Sequence, residues 1–161
     1  MIHGGTSRFN LAGFADVVLL LAAATQEQQM PAPQRLAAEA LAGPVAANVE
    51  RVVDGDTIEV KAAIWLGQSL IIRVRIDGVD APELEARCPE ERKLALAARD
   101  FLVRRLQGVP VKLTHVVYDK YGGRVRADVA DAAGDIGHAL LEAGLARPYH
   151  GERREFWCGV T

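Results

Sequence analysis

Apolar and polar residues alternate in three successive runs near the middle of the chain. Val49, Val52 and Val53 lead into Asp54-Gly55, and Ile58 and Val60 continue beyond it. An Asp-Gly step between alternating runs predicts a hairpin. Ile64-Trp65-Leu66-Gly67-Gln68 predicts a second turn, and Ser69 to Ile76 a third strand. On that strand Leu70, Ile72, Val74 and Ile76 face one way, while Ile71, Arg73 and Arg75 face the other, towards a surface cleft. From Pro89 to Leu106 the period changes to that of a helix. Pro89 suits the first turn, Glu90 and Glu91 complement the start of the helix dipole, and Arg104 and Arg105 its end. Leu94, Ala97, Ala98, Phe101, Leu102 and Val103 are its expected apolar face, and Gly108 stops it. Val109 to Val117 and Arg124 to Ala130 predict two more strands, and Ile136 to Ala143 a short helix closed by Gly144. Phe156-Trp157 adds a last helical turn or a packed tail. The pattern is α+β.

The N-terminal quarter reads differently. Met1 to Asn10 carries Arg8 and no acid, and Leu11 to Ala24 is mostly apolar and ends on Ala22-Ala23-Ala24. This predicts a signal-like leader, weakened by Asp16, with a short apolar helix packed on the domain as the alternative. The span is too short for a permanent membrane anchor. Thr25 to Gly43 is rich in Gln, Ala and Pro, and Pro31 and Pro33 oppose a continuous helix. We expect residues 1–44 to be leader and linker, with at most one frayed helix in Gln34 to Ala42. Residues 45–161 are then the folded domain.

With 161 residues, half of them hydrophobic but only 6% aromatic, one domain must build its core from Ala, Val, Leu and Ile. The formal net charge of −2 gives no global basic field, so any polyanion must be met by a local arginine cluster. Cys88 and Cys158 form no C-x-x-C pair, which argues against a zinc knuckle. They are either two buried thiols or one disulfide tying the C-terminal tail to the segment after Glu83. The four histidines do not cluster at metal-ligand spacing, and His138 sits inside a predicted helix.

The chemistry concentrates in three segments: Val53-Asp54-Gly55-Asp56-Thr57, then Arg75-Ile76-Asp77-Gly78-Val79-Asp80-Ala81-Pro82-Glu83, then Asp119-Lys120-Tyr121-Gly122-Gly123-Arg124. An isolated Asp-Gly-Asp is most simply a turn. Two carboxylates flanking the stiff Ala81-Pro82 step change that reading, because one can hold a cation while the other is kept off it. In order and spacing these segments resemble the staphylococcal nuclease (thermonuclease) family, from about Val45 to Cys158.

That resemblance implies a five-stranded OB-fold barrel with about three helices. It implies Ca²⁺ held by Asp56 and Asp80 through carboxylate oxygens and by Ala81 through its carbonyl, an all-oxygen shell suited to a hard cation. It gives Glu83 the place of general base, and Arg75 and Arg124 those of the catalytic guanidiniums. Arg73 competes with Arg75, but Arg75 has the right separation from Asp80. The extra glycine at Gly122-Gly123 leaves Arg126 as an alternative to Arg124. Lys120, Tyr121 and Tyr149 are the expected substrate-binding residues, since a tyrosine ring stacks on any base. Tyr149 and Trp157 could equally pack the tail, which Arg147, Arg153 and Arg154 make the most basic stretch of the chain.

The function so implied is a Ca²⁺-dependent endonuclease, indifferent to sugar, hydrolysing DNA and RNA to leave 3′-phosphates. We expect it to be monomeric, without a protein partner, and secreted or periplasmic. Its rivals are a non-catalytic OB-fold nucleic-acid-binding module and a calcium-stabilised extracellular interaction domain. Retention of all five core positions argues against the first.

Overall fold

Each alternating run of branched residues becomes a strand. The computed structural model describes Met1, Gly4, residues 40–120 and residues 122–159. The expected leader, most of the linker and Tyr121 lie outside these. The elements are β1 (Ala40–Leu41), β2 (Val45–Val52), β3 (Thr57–Trp65), β4 (Gln68–Ile76), β5 (Val79–Asp80), α1 (Pro89–Leu106), β6 (Pro110–Tyr118), β7 (Arg124–Asp131), β8 (Gly134–Asp135), α2 (Ile136–Glu142) and β9 (Arg147–Pro148).

β2, β3 and β4 form an antiparallel meander. β4 then pairs in parallel with β7, β7 runs antiparallel to β6, and β6 returns antiparallel to β2. The sheet therefore closes on itself as a five-strand barrel, the OB-fold arrangement. Pairing begins earlier than Val45, because β1 lies antiparallel to β6 with Ala40 opposite Val117.

Inward residues of the strands and one stripe of each helix form a single core that includes Ile58, Val60, Val74, Leu102, Val129 and Leu140. The buried stripe of α1 is Glu91, Ala95, Ala98, Leu102 and Leu106. Ala97 and Val103, expected on that face, lie outside it: Ala97 is exposed and Val103 half-buried. In an Ala- and Leu-rich helix, polarity contrast locates the stripe poorly, and the spacing of the large leucines against the barrel decides it.

β4 divides in two. Its last three residues, Val74-Arg75-Ile76, are buried, whereas Leu70 and Ile71 are exposed. Ile64, Trp65 and Leu66 are exposed with them at the tip of the β3–β4 hairpin. Arg75, expected to face a surface cleft, is 6% exposed and lines an open cleft from the barrel end.

Candidate active site

The site is built where three chain segments meet at the end of β4. Asp56 precedes β3, and its backbone oxygen accepts a hydrogen bond of 2.8 Å from Ile76 N–H at the end of β4. Asp54 Oδ1 accepts from Asp56 N–H at 3.1 Å and shapes the turn between β2 and β3. Gly55 is needed there for room. A Cβ on it would meet the Ala81 Cβ at 2.8 Å and the Ala98 Cβ at 2.9 Å. Its φ is not in the left-handed region. The Asp-Gly step thus serves close approach to the Asp80–Glu83 loop and to α1, where the sequence pointed only to turn geometry.

Arg75 joins the two aspartates. Its Nη1 donates to Asp56 Oδ1 at 2.7 Å, and its Nη2 donates to Asp80 Oδ1 at 3.3 Å and to Val79 O at 3.2 Å. Asp56 Oδ1 also accepts from the Thr57 hydroxyl at 3.0 Å, and Asp56 Oδ2 from Ala81 N–H at 3.2 Å. Asp56, Arg75 and Asp80 are 4%, 6% and 6% exposed. Burial pushes the Asp56 carboxyl up to about 7, against the pull of Arg75 and with a smaller push from Asp54.

Glu83 and Arg124 line one open cleft of about 480 Å³ together with Arg75, Asp54, Lys120 and Tyr149. The extra glycine is absorbed in the turn before β7. Gly123 takes a φ of 83°, and Asp119 N–H donates to Arg124 O at 3.2 Å. Arg124 Nε donates to Asp119, whose carboxyl is held low: burial raises it, but the Arg124 hydrogen bond and charge prevail. Arg126 pairs with Asp77 at 2.9 Å and lines a neighbouring cavity, which Arg75, Lys120 and Arg124 also border. Arg73 is exposed and reaches Glu59 at 3.7 Å. His138 is exposed and pairs with Glu142 along α2, away from this cleft.

Cys88 and Cys158 are bonded to each other, with Cα atoms 6.0 Å apart. This brings the tail over the site, and with it a residue that sequence reasoning placed only in a basic stretch. Arg154 Nε lies 2.9 Å from Asp80 Oδ1, and its Nη1 donates to Glu83 Oε1. The signal available was the cysteine pair itself, which fixes the tail close to Glu83.

The donor set suits a hard divalent cation. Asp56, Asp80 and the Ala81 carbonyl offer oxygen only, and the two buried carboxylates are met by the buried Arg75 and, on Asp80, by the part-exposed Arg154. Among the described residues, the one tight group of three His, Cys or acidic side chains is Cys88, Glu91 and Cys158. Its sulfur atoms are committed to the disulfide, so it is no soft-metal site.

Fold and site together define an OB-fold barrel whose rim gathers acidic and guanidinium groups in one cleft. The family model described as staphylococcal nuclease homologue matches residues 73–156, more than half of the chain, and the chain belongs to that family. Among curated proteins, no match is found. Membership places the domain with nuclease-type hydrolases and nucleic-acid-binding OB-fold modules.

Proposed function

We propose that this protein is a Ca²⁺-dependent endonuclease that hydrolyses phosphodiester bonds in DNA and RNA and leaves 3′-phosphates. The observation that carries the reading is the meeting of Asp56 and Asp80 on Arg75, with Glu83 and Arg124 lining the same cleft. Asp56, Asp80 and the Ala81 carbonyl would hold the cation. When bound, Ca²⁺ would supply Lewis-acid polarisation of a phosphoryl oxygen. Glu83, more than half exposed, orients and deprotonates a water aimed at phosphorus. Arg75 and Arg124 donate to the non-bridging oxygens and balance the charge that grows in the five-coordinate transition state. Lys120 and Tyr149, with Tyr121, bind the flanking phosphate and base. An open cleft lined mainly by charged side chains fits backbone contact and low sequence preference. The cystine supports an oxidising compartment, secreted or periplasmic.

The test is digestion of plasmid and single-stranded substrates with and without EGTA. Cleavage should require Ca²⁺, and Glu83→Gln should slow it by orders of magnitude at unchanged circular dichroism. Calcium-independent cleavage sinks the cofactor, and a wild-type rate in Glu83→Gln removes that residue's role. Arg75→Ala is a poor probe of catalysis. It strips the buried Asp56 of its guanidinium and leaves Asp80 with Arg154 alone, and breaking a buried pair in this way typically costs ~3–5 kcal/mol of stability. Arg124→Ala unpairs the buried Asp119 side chain, so its expected loss of about 10²–10³ in kcat is read per folded molecule, with the folded fraction measured by circular dichroism. Salt-sensitive binding with no cleavage in Ca²⁺ would point instead to a binding module.

A further inference from the structure

The tail is anchored on both sides of Arg154. On one side β9 pairs with β5, with Arg147 opposite Asp80, and Tyr149 N–H donates to Gly78 O at 2.9 Å. On the other side Cys158 is bonded to Cys88, which immediately precedes α1. Between the anchors the Arg147 guanidinium lies 3.9 Å from the Trp157 ring centroid, and that of Arg87 5.3 Å from Phe156. The segment is therefore held over the site with Arg154 reaching in, its guanidinium shared by Asp80 and Glu83.

We propose that Arg154 is a built-in counter-ion that competes with the divalent cation for Asp80 and holds Glu83 until the cation displaces it. The disulfide sets how strongly it competes. This rests on the cation site proposed above. Arg154 and Arg75 both lie on Asp80 Oδ1, at 2.9 and 3.3 Å. A divalent charge on the same carboxylate repels a guanidinium already there. Of the two arginines, Arg75 is buried and fixed by a backbone carbonyl, whereas the Arg154 side chain is 39% exposed and can turn to water. Arg154 is thus the one that yields. Its departure also frees Glu83, so cation binding and release of the water-orienting carboxylate are coupled. The tether raises the local concentration of the guanidinium at these oxygens.

Calorimetric Ca²⁺ titration and thermal melts of the full chain test this, using wild type, Arg154→Ala, Arg154→Lys and a Cys88→Ser/Cys158→Ser variant with and without Arg154→Ala. Arg154→Ala should bind Ca²⁺ on the order of tenfold more tightly. Its melting temperature should fall without the ion and rise more than wild type with it, whereas a merely structural arginine would shift both melts alike. Arg154→Lys should stay nearer wild type. Loss of the disulfide should tighten binding in the same direction and shrink the further effect of Arg154→Ala. Equal or weaker Ca²⁺ binding by Arg154→Ala overturns the inference while leaving the cation site in place. Folded wild type and Arg154→Ala that both ignore Ca²⁺ overturn the cation site itself and the inference with it. The Arg154→Ala titration keeps the disulfide, so it decides the matter even where the cysteine variant does not fold.

Discussion

Asp56 is buried because three donors, Arg75, Thr57 and the Ala81 N–H, are arranged to receive it. That arrangement depends on Gly55, which lets the turn touch both Ala81 and Ala98. Gly55→Ala must push one of these neighbours away, and neither is a flexible side-chain tip. We expect a loss of about 1–3 kcal/mol in urea unfolding and a fall in cleavage rate larger than the loss of folded protein explains. A variant of wild-type stability and rate would show that the contact gives way freely. The grouping of the candidate residues was legible at this scale, since carboxylates and arginines at fixed separations in sequence meet in one place in the fold. Arg154 was not legible as a site residue. Its partners lie far away in sequence, and only the fold shows which of several tail arginines reaches them.

At the scale of elements, the end of α1 is tied to the end of β7 by a two-pronged ion pair. Arg105 Nε and Nη2 donate to Asp131 Oδ2 and Oδ1 at 2.8 and 3.0 Å. The Asp131 carboxyl is held below its ordinary 3.8, chiefly by the Arg105 hydrogen bond. A carboxyl depressed in the folded state adds stability above its unfolded pKa, and that stability is lost as pH falls through the folded value. Asp131→Asn should therefore lower the melting temperature at neutral pH, and the gap to wild type should close below pH ~4. A gap that persists at the acid end would assign the effect to packing. The sequence marked Arg105 only as a dipole partner of its own helix, because the pair spans two elements. The strands were legible from alternation. The α1 face was misplaced by its alanines, and the exposed first half of β4 was missed because nothing local distinguishes a hairpin tip beyond the barrel from a strand within it.

For the whole molecule, the charge of −2 sets how nucleic acid is met. Such a net charge gives no global basic field to draw in a polyanion from a distance, so engagement is expected at the cleft, where Arg75, Arg124, Lys120 and Arg154 stand among Asp54, Glu83 and Glu152. Few phosphates are then neutralised, and few counterions released. Binding of a single-stranded oligonucleotide to the slow Glu83→Gln variant should follow a shallow line of log K against log salt. With three contacts the slope is about −2, from roughly −0.7 per contact. Arg124→Ala in that background should flatten it by about one contact. Fluorescence anisotropy across a salt series measures both. A slope several times steeper would mean that phosphates are held well outside the cleft, by surface arginines such as Arg51, Arg73 and Arg99, and the cleft would no longer be the main seat of substrate binding. A shallow slope that Arg124→Ala leaves untouched would keep binding in the cleft and move the phosphate contact to Lys120 or Arg75.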